Sequence, residues 1–245
     1  MSPTPFIRCR AVEKSFGDKP VLRGVTLDVL PGETLVLLGG SGSGKSVLLK
    51  HMNGLLHPDH GEVEVEGVAL GPLDEDDLIP IRRKVSMLFQ QGALFDSLTV
   101  GDNVAYGLHE HRLVPAADIP ARVHQALAMV DLAGTESRMP AELSGGMRKR
   151  AALARALVLE PRALLYDEPT TGLDPVTAAR INHLIRDVQR RLGLTSVVVT
   201  HDLASAFLVA DRIAFLHEGH IRFTGTPGDA RATRDPVLHE FLTAA

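Results

Sequence analysis

The chain has 245 residues, of which 44% are hydrophobic and 23% charged, a composition typical of one large globular domain or of a core with a small inserted lobe. Its formal net charge of −4 argues against an electrostatic nucleic-acid binder, and its one cysteine, Cys9, excludes a disulfide within the chain and favours a reducing compartment. No apolar run is long enough to cross a bilayer, and the first five residues lack the apolar core of a signal peptide, so we expect neither a membrane span nor a secretory leader.

The N-terminal stretch predicts a β-hairpin. Residues 6–12 alternate between apolar and polar, residues 21–29 follow, and a turn at Gly17 and Asp18 separates the two runs. Cys9 lies in the first run, where we expect it to be buried as a small apolar residue. Phe16 lies at the tip of the hairpin. It is placed either to stack on a base or to pack as a core or turn residue, and the local sequence favours neither.

A glycine-rich loop follows the next predicted strand, residues 34–38, and precedes a helix that begins near Val47. The loop matches the phosphate-binding pattern G-x-x-x-x-G-K-[ST] at every fixed position, and its residues are Gly39, Gly40, Ser41, Gly42, Ser43, Gly44, Lys45 and Ser46. Glycines let backbone N–H groups approach phosphate oxygens, and the helix N-terminus adds a positive dipole end. Lys45 supplies a charge for the β- and γ-phosphates, and Ser46 a hydroxyl for Mg²⁺. An ordinary glycine-rich turn fits this strand–loop–helix context less well.

Two further strands are predicted before the middle of the chain. Residues 62–66 alternate strictly between Glu and Val, which indicates an antiparallel strand of the edge type with one wet face. The basic run at residues 82–84 reads as a solvated face. Residues 85–89 are an apolar run that ends at Gln90.

The middle third, residues 92–142, predicts a helical insertion. An apolar cluster comes first, and a second apolar set then recurs at helical spacing. The cluster comprises Leu94, Phe95, Leu98 and Val100, and the second set Ile119, Val123, Leu127 and Val130.

The second half of the chain alternates helices with buried strands. A helix over residues 146–159 is followed by a strand over 163–166 that ends at Asp167 and Glu168. Asp174 is expected to cap a helix that has Pro175 at its first position and ends at Gly193. The predicted inner face of this helix comprises Ile181, Leu184, Ile185, Val188 and Leu192.

The last predicted elements complete this pattern. A strand over residues 195–200 ends at His201, and Asp202 caps the helix that follows. Residues 212–216 and 221–223 predict a hairpin. A short amphipathic helix at the end carries Val237, Leu238, Phe241 and Leu242 on its apolar face.

Four polar residues therefore follow buried strands, at the edge where α/β sheets bind ligands: Gln90, Asp167, Glu168 and His201. Asp167 suits the holding of Mg²⁺ through water, Glu168 the polarising of an attacking water, and His201 a contact with the γ-phosphate. Taken singly, strand-end carboxylates are often helix caps and a strand-end histidine is often structural. Together with a phosphate loop they favour a nucleotide-hydrolysing site.

At this point the sequence resembles the nucleotide-binding subunits of ABC transporters. Residues 143–146, Leu-Ser-Gly-Gly, match the signature motif of that family, residues 163–168 its Walker B strand, and residues 172–174, with Asp174, its D-loop. Gln90 matches the Q-loop, His201 the switch histidine, and Phe16 the position of the adenine-stacking aromatic. A phosphate-loop kinase or GTPase would not need the signature element.

The resemblance implies an α/β fold, an ABC-type phosphate-loop ATPase with a RecA-like, mostly parallel sheet core. It implies a single domain over residues 1–245, with a core and antiparallel β-subdomain in residues 1–91 and 160–245 and a helical subdomain in residues 92–159. ATP would contact Phe16 and residues 39–47, the last of which is Val47. Mg²⁺ would contact Ser46, Gln90 and, through water, Asp167. Glu168, His201 and Lys45 would be catalytic. Two subunits would pair head to tail, so that the signature of one, Ser144, Gly145, Gly146 and Met147, meets the ATP held by the other.

The stretches 88–106 and 143–156 resemble the ATPases of Mla/Mce-type lipid transporters. This implies a homodimer on the cytoplasmic side of the bacterial inner membrane, permease subunits docked near residues 90–100, an Mce-type substrate-binding protein and no nucleic acid. Met147 stands where the commonest signature has Gln, which removes a polar contact to the partner's nucleotide. Some members carry a C-terminal extension over the other protomer, and a sequence that ends at Ala245 leads us to expect none. A transporter ATPase for another small solute, or a soluble ABC-type ATPase that acts on nucleic acid or ribosomes, remains an alternative.

Overall fold

A computed structural model describes residues 4–243, which form two sheets, nine α-helices and two short 3-10 helices, Ala116–Asp118 and Pro140–Glu142. The first three residues and the last two, on which the expectations about a leader and a C-terminal extension partly depend, lie outside the described residues. In chain order the strands are β1 (Ile7–Phe16), β2 (Lys19–Val29), β3 (Thr34–Leu38), β4 (His60–Val65), β5 (Val68–Ala69), β6 (Val85–Leu88), β7 (Ala163–Asp167), β8 (Thr195–Thr200), β9 (Arg212–His217) and β10 (His220–Gly225). The helices are α1 (Lys45–His51), α2 (Glu75–Lys84), α3 (Val100–Glu110), α4 (Ile119–Met129), α5 (Gly145–Leu157), α6 (Pro175–Leu192), α7 (Leu203–Val209), α8 (Pro227–Arg231) and α9 (Pro236–Thr243).

The larger sheet has the strand order β10-β9-β3-β8-β7-β6, and all its neighbours are parallel except the β9–β10 hairpin. Every residue of β3, β7 and β8 is buried, because both faces of the sheet are covered. Leu35 and Leu37 of β3 pack with α1 and the smaller sheet, whereas Val36 and Leu38 pack with the helices on the other face. The predicted α/β class and its mostly parallel core sheet are confirmed.

The smaller sheet is antiparallel, in the order β2-β1-β4-β5. The predicted N-terminal hairpin is confirmed, and Cys9 is fully buried in it, where burial raises the pKa of its thiol to about 12. The prediction that residues 62–66 form an edge strand is wrong, because β4 lies between β1 and the two-residue strand β5. Alternation of Val63 and Val65 with glutamates reports one wet face, which an inner antiparallel strand also has.

Helices α3, α4 and α5 pack together in the middle of the chain, as the spacing of apolar residues predicts. All four residues of the predicted set, Ile119, Val123, Leu127 and Val130, are buried. Within residues 4–243, none of the helices combines the length and apolar character that a bilayer crossing requires.

Two local predictions are wrong, and one helix was not predicted. Leu192 is 48% exposed rather than on the inner face of α6, because it is the last residue before Gly193, where the helix ends. Phe89 lies beyond the end of β6 and is exposed. The basic run at residues 82–84 closes α2, a helix that the sequence analysis does not predict, and Arg82 pairs there with Glu75. That helix begins at an Asp74 cap, and its charged sequence contains Pro80, which masks its periodicity.

Candidate functional site

The candidate site lies at the carboxyl edge of the larger sheet. The glycine-rich loop follows β3, Asp167 and Glu168 end β7 and begin the next turn, and His201 follows β8, which lies between β3 and β7. The strand ends are level, since Leu38 is paired with Thr200 and Asp167 with Val199. The structure therefore brings together the polar residues that the sequence analysis places after separate strands.

The loop owes its shape to glycines that act in different ways. Gly42 and Gly44 have φ values of 74° and 103°, in the left-handed region that other residues rarely adopt. Gly39 is outside that region, but a Cβ there would lie 2.3 Å from the carbonyl oxygen of Leu216. Nothing lies within 4 Å of a Cβ added at Gly40, so that position is open to a ligand rather than packed against the fold.

Lys45 is buried at the first position of α1 and folds across the loop. Its Nζ donates hydrogen bonds to the carbonyl oxygens of Gly39 at 2.8 Å and Gly40 at 2.9 Å. Burial lowers the pKa of Lys45, while the nearby carboxylates of Glu168 and Asp167 act in the opposite direction.

Ser46, the next residue, connects the loop to β7. Its Oγ donates a hydrogen bond of 2.6 Å to Asp167 Oδ1, and the Asp167 carboxylate is buried. A hydroxyl oxygen beside a carboxylate is a pair of hard oxygen donors of the kind that Mg²⁺ prefers. Ser46 and Asp167 therefore fit a magnesium ion. The side chain of Gln90, the third predicted ligand, is exposed at the end of β6.

Glu168 is held from two sides. Its Oε1 lies 2.9 Å from His201 Nδ1, and its Oε2 accepts a hydrogen bond of 3.1 Å from the Thr171 hydroxyl. Its φ of 49° is unusual for a residue with a side chain, and its N–H donates to the Val199 carbonyl at 3.0 Å. Such strained backbone occurs at functional sites more often than elsewhere. The imidazole of His201 is 58% exposed, so it stands between Glu168 and solvent.

The signature residues lie at the start of α5. Ser144 caps that helix through a hydrogen bond of 3.3 Å from the Met147 N–H to its Oγ. Gly146 is close-packed, since a Cβ there would lie 2.6 Å from the methyl group of Thr177, whereas Gly145 is exposed. Ser144 and Gly146 line a cavity of about 480 Å³ with residues of α5 and α6, and none of its lining residues belongs to the glycine-rich loop. Within one chain the signature and the loop are thus separate sites.

Two predicted site residues lie toward the edges of this arrangement. Phe16 is 50% exposed at the end of β1, with the Lys14 ammonium 5.9 Å from its ring centroid, so it is open to a planar ligand. Asp174 caps α6 as predicted and accepts hydrogen bonds of 3.0 Å from the N–H groups of Val176 and Thr177. Hydrogen bonds from Thr177 hold the pKa of the Asp174 carboxyl below its usual value.

Lys149, which no sequence pattern singles out, is buried on α5. Its Nζ donates to the backbone oxygen of Gln90. Burial lowers its pKa, and the carboxylates of Asp167 and Glu168 oppose that shift. The sequence carries no signal for this role, because a lysine in a predicted helix is usually exposed to solvent.

Sequence and structure comparisons match this chain to ATP-binding transport proteins. The sequence model of the family described as ABC transporter matches residues 22–171. The Mycobacterium leprae protein named probable ribonucleotide transport ATP-binding protein mkl is 43% identical over 237 residues, which cover 96% of this chain and 68% of that protein. The intermembrane phospholipid transport system ATP-binding protein MlaF of Escherichia coli strain K12 is 40% identical over 237 residues, which cover 97% of this chain and 88% of that protein. A solved dimeric ATP-binding cassette, in a post-hydrolysis state bound to ADP and Pi, matches with a TM-score of 0.82 and 33% identity over 90% of this chain and 98% of that one.

The packing of Gly39 generates a stability prediction. Gly39→Ala places a methyl group against the Leu216 carbonyl, so we expect the free energy of unfolding to fall by ~1–3 kcal/mol, as in other overpacked sites. Gly40→Ala has free space around it and serves as the matched control, with an unchanged melting temperature. Equal melting temperatures for the two variants would contradict the packing role of Gly39.

Proposed function

The chain belongs to the ABC transporter family of ATP-hydrolysing proteins, and from that membership we propose that it powers the transport of phospholipid, or of another lipid, between bacterial membranes. The observation that carries the hydrolytic part is the contact of Ser46 and Glu168 with their partners at one sheet edge, beside the phosphate loop. The lipid is supported by the 40% identity to the phospholipid transport protein over nearly the whole chain.

A different solute is the second candidate function. The name of the Mycobacterium leprae relative, 43% identical, refers to ribonucleotide transport. All the ATP chemistry below would be shared by such a transporter, so the residues of the site do not separate the two substrates. A soluble ABC-type ATPase that acts on nucleic acid or ribosomes is less well supported by a chain with a net charge of −4.

We assign ATP to the glycine-rich loop. The N–H groups of residues 39–47 and the N-terminus of α1 meet the phosphates, Lys45 neutralises the β- and γ-phosphates, and Phe16 stacks on the base. Ser46, Gln90 and, through water, Asp167 hold Mg²⁺. When bound, that ion would supply positive charge that offsets the negative charge of the phosphates.

Glu168 is assigned to the attacking water. A carboxylate that is mostly buried, next to the residue directed at Mg²⁺, is placed to accept a proton from that water or to orient it. His201 is assigned two tasks: its Nδ1 contact fixes the Glu168 carboxylate, and its exposed ring would contact the γ-phosphate. Such an arrangement, a base oriented by a third group, recurs in hydrolytic sites.

A second copy of the chain completes each ATP site in this proposal. A phosphate loop alone leaves the γ-phosphate partly in water, and the N-terminus of α5, with Ser144, Gly145, Gly146 and Met147, is a second anion site that would close it. Asp174 would lie at the same interface. Within one chain, the cavity lined by Ser144 and Gly146 includes no residue of the glycine-rich loop. This supports a model in which the partner supplies the signature residues to each ATP. The matched solved cassette is itself a dimer.

The proposed docking surface for permease subunits comprises Phe95 and Tyr106. Both rings are exposed, 43% and 45%, and their centroids lie 4.8 Å apart. Buried Asn103 fixes the segment before α3, since its side chain bonds the N–H and carbonyl of Phe95 and two further carbonyls. The cluster of the sequence analysis divides here: Val100 is fully buried core, and Leu94 packs partly against it.

We place the chain at the cytoplasmic face of the inner membrane, peripherally, through that docking surface. An Mce-type substrate-binding protein is proposed to complete the complex, since the transport systems that the sequence resembles include one. Two exposed aromatic rings in contact, tilted by 46° to each other, are typical anchors of a protein interface.

The role of Glu168 generates the first test of this proposal. Glu168→Gln removes the charge and keeps the shape, so we expect ATP binding to be retained and turnover to fall by about 10²-fold or more. Steady-state ATPase kinetics and nucleotide titration measure the two effects. Lys45→Ala is the contrasting variant, because it should weaken nucleotide binding itself. A Glu168→Gln variant with normal turnover would exclude the assigned role.

The same variant tests the composite site. Because it retains ATP, Glu168→Gln should form dimers in ATP and Mg²⁺ that are visible by light scattering, and adding Ser144→Arg should abolish them. Dimers that persist in the double variant would remove Ser144 from the interface.

The docking surface generates a further prediction. Phe95→Ala and Tyr106→Ala should each weaken binding of the membrane partner by ~1–3 kcal/mol, the range of interface anchors, with basal ATPase activity and melting temperature unchanged. Leu55→Ala, at another exposed apolar residue of 39% exposure, is the control. Co-purification from membranes measures the effect, and unchanged recovery of the partner with both aromatic variants would show that this surface does not dock.

A further inference from the structure

The loop that follows β6, residues 90–93, is held against α5 by two cationic side chains. Lys149 Nζ donates to the Gln90 carbonyl oxygen, and the Arg155 guanidinium donates to the carbonyl oxygens of Ala93 at 2.6 Å and Gly92 at 3.0 Å. Three of the four carbonyls of this loop thus accept from one helix. Charge-assisted hydrogen bonds of this kind are roughly twice as strong as neutral ones.

The backbone of the loop needs such restraint. Gly92 and Ala93 have φ values of 78° and 47°, and the left-handed conformation is unfavourable for a residue with a side chain such as Ala93. The loop also lies close to the helix, because a Cβ at Gly92 would be 3.3 Å from the Cβ of Ala152. Contacts with α5 therefore determine the conformation that the loop adopts.

Lys149 differs from Arg155 in what else it faces. It is 8% exposed, and both Asp167 and Glu168 are near enough for their charges to act on its ammonium. If position 149 served only to pack the helix, a charged side chain would bring no advantage there. A protein with an apolar residue of similar volume at a buried site is commonly as stable or more stable. The buried ammonium instead donates to the backbone of the predicted magnesium ligand Gln90 and interacts with the charges of the two carboxylates of the site.

We propose that Lys149 is a positioning residue for ATP hydrolysis, which fixes the backbone of Gln90 against α5 and thereby fixes where the Gln90 side chain stands relative to Asp167 and Glu168. The inference rests on the proposed function, because it concerns the same site. The helix α5 would then act in both subunits. Its N-terminus meets the partner's ATP, and its Lys149 positions Gln90 within its own chain.

One rigid helix then connects three regions. α5 begins at Ser144, directed at the partner's ATP, holds Gln90 through Lys149 one turn later, and ends near the docking surface, where the Arg155 guanidinium lies 6.0 Å from the ring centroid of Phe95. A displacement of α5 therefore moves Gln90 together with the signature. Removal of the Lys149 ammonium would leave Gln90 free to move independently of that helix.

The test is steady-state ATPase kinetics of the full chain with Lys149→Met, which keeps the length and removes the charge. We expect kcat to fall on the order of 10- to 100-fold, as for misplaced catalytic groups, and the Mg²⁺ concentration for half-maximal activity to rise about tenfold, as for lost support of a metal ligand. The KM for ATP should change little, because the phosphate loop is untouched. The melting temperature should stay the same or fall, because the variant leaves the two buried carboxylates and the Gln90 carbonyl oxygen with one cation fewer.

Lys149→Arg and Lys84→Met complete the design. Arg retains the charge and the donors, so it should restore most of the kcat and the Mg²⁺ dependence. Lys84 is an exposed lysine at the end of α2, paired with Glu66, and its replacement by Met should leave both parameters unchanged. If Lys149→Met does not fold, the same kinetics of a Lys149→Gln variant decide in its place, with the same expectations.

Three results would overturn the proposal. They are a Lys149→Met enzyme with normal kcat and Mg²⁺ dependence, a loss confined to the melting temperature, and an equal kinetic loss in Lys149→Met and Lys149→Arg. Wild-type chain without ATPase activity would instead contradict the proposed function, so the two failures are distinguishable.

Discussion

The hydrogen bond between Ser46 and Asp167 joins the two parts of the chain on which the site depends. The residues are 121 positions apart, and β8 separates their strands in the sheet. They meet because β3, β8 and β7 are parallel and end level, so that the glycine-rich loop, the carboxylates and His201 emerge on one edge. A shift of register by one residue would turn the strand-end side chains to the opposite faces of the sheet and separate these groups.

Electrostatics is the second constraint. Two adjacent carboxylates, Asp167 and Glu168, are buried at the site, and two buried lysines, Lys45 and Lys149, stand close enough to interact with both. Burial lowers the pKa of each lysine and the carboxylates oppose that shift, so each charge depends on the others. The polar groups are also anchored to backbone: Lys45 to the loop, Lys149 to Gln90. The site is therefore preorganised by groups that bind main-chain oxygens as well as each other.

Much of this was predictable from the sequence. The phosphate loop has fixed spacing and glycines required by its geometry, and strand-end polar residues follow from buried apolar runs. Burial of a charged side chain was not predictable: Lys149 follows a pattern of helix-forming residues, and only the tertiary fold shows that it faces Gln90. Likewise, Phe95 and Val100 are both apolar and cannot be distinguished by sequence pattern. Phe95 is exposed and Val100 belongs to the core, because Asn103 fixes the segment before α3. Alternation in residues 62–66 reveals the wet face of β4 but not its neighbours, which is why its position was predicted wrongly.

The most direct test of ATP-driven lipid transport uses the complex of this chain with its membrane partners, reconstituted in phospholipid vesicles. Transfer of a labelled phospholipid to acceptor membranes is measured with and without ATP, in the wild type and in Glu168→Gln. We predict that transfer of the phospholipid requires ATP and is lost in Glu168→Gln. ATP hydrolysis that proceeds without any lipid movement and is stimulated by a ribonucleotide or another small solute would contradict the account.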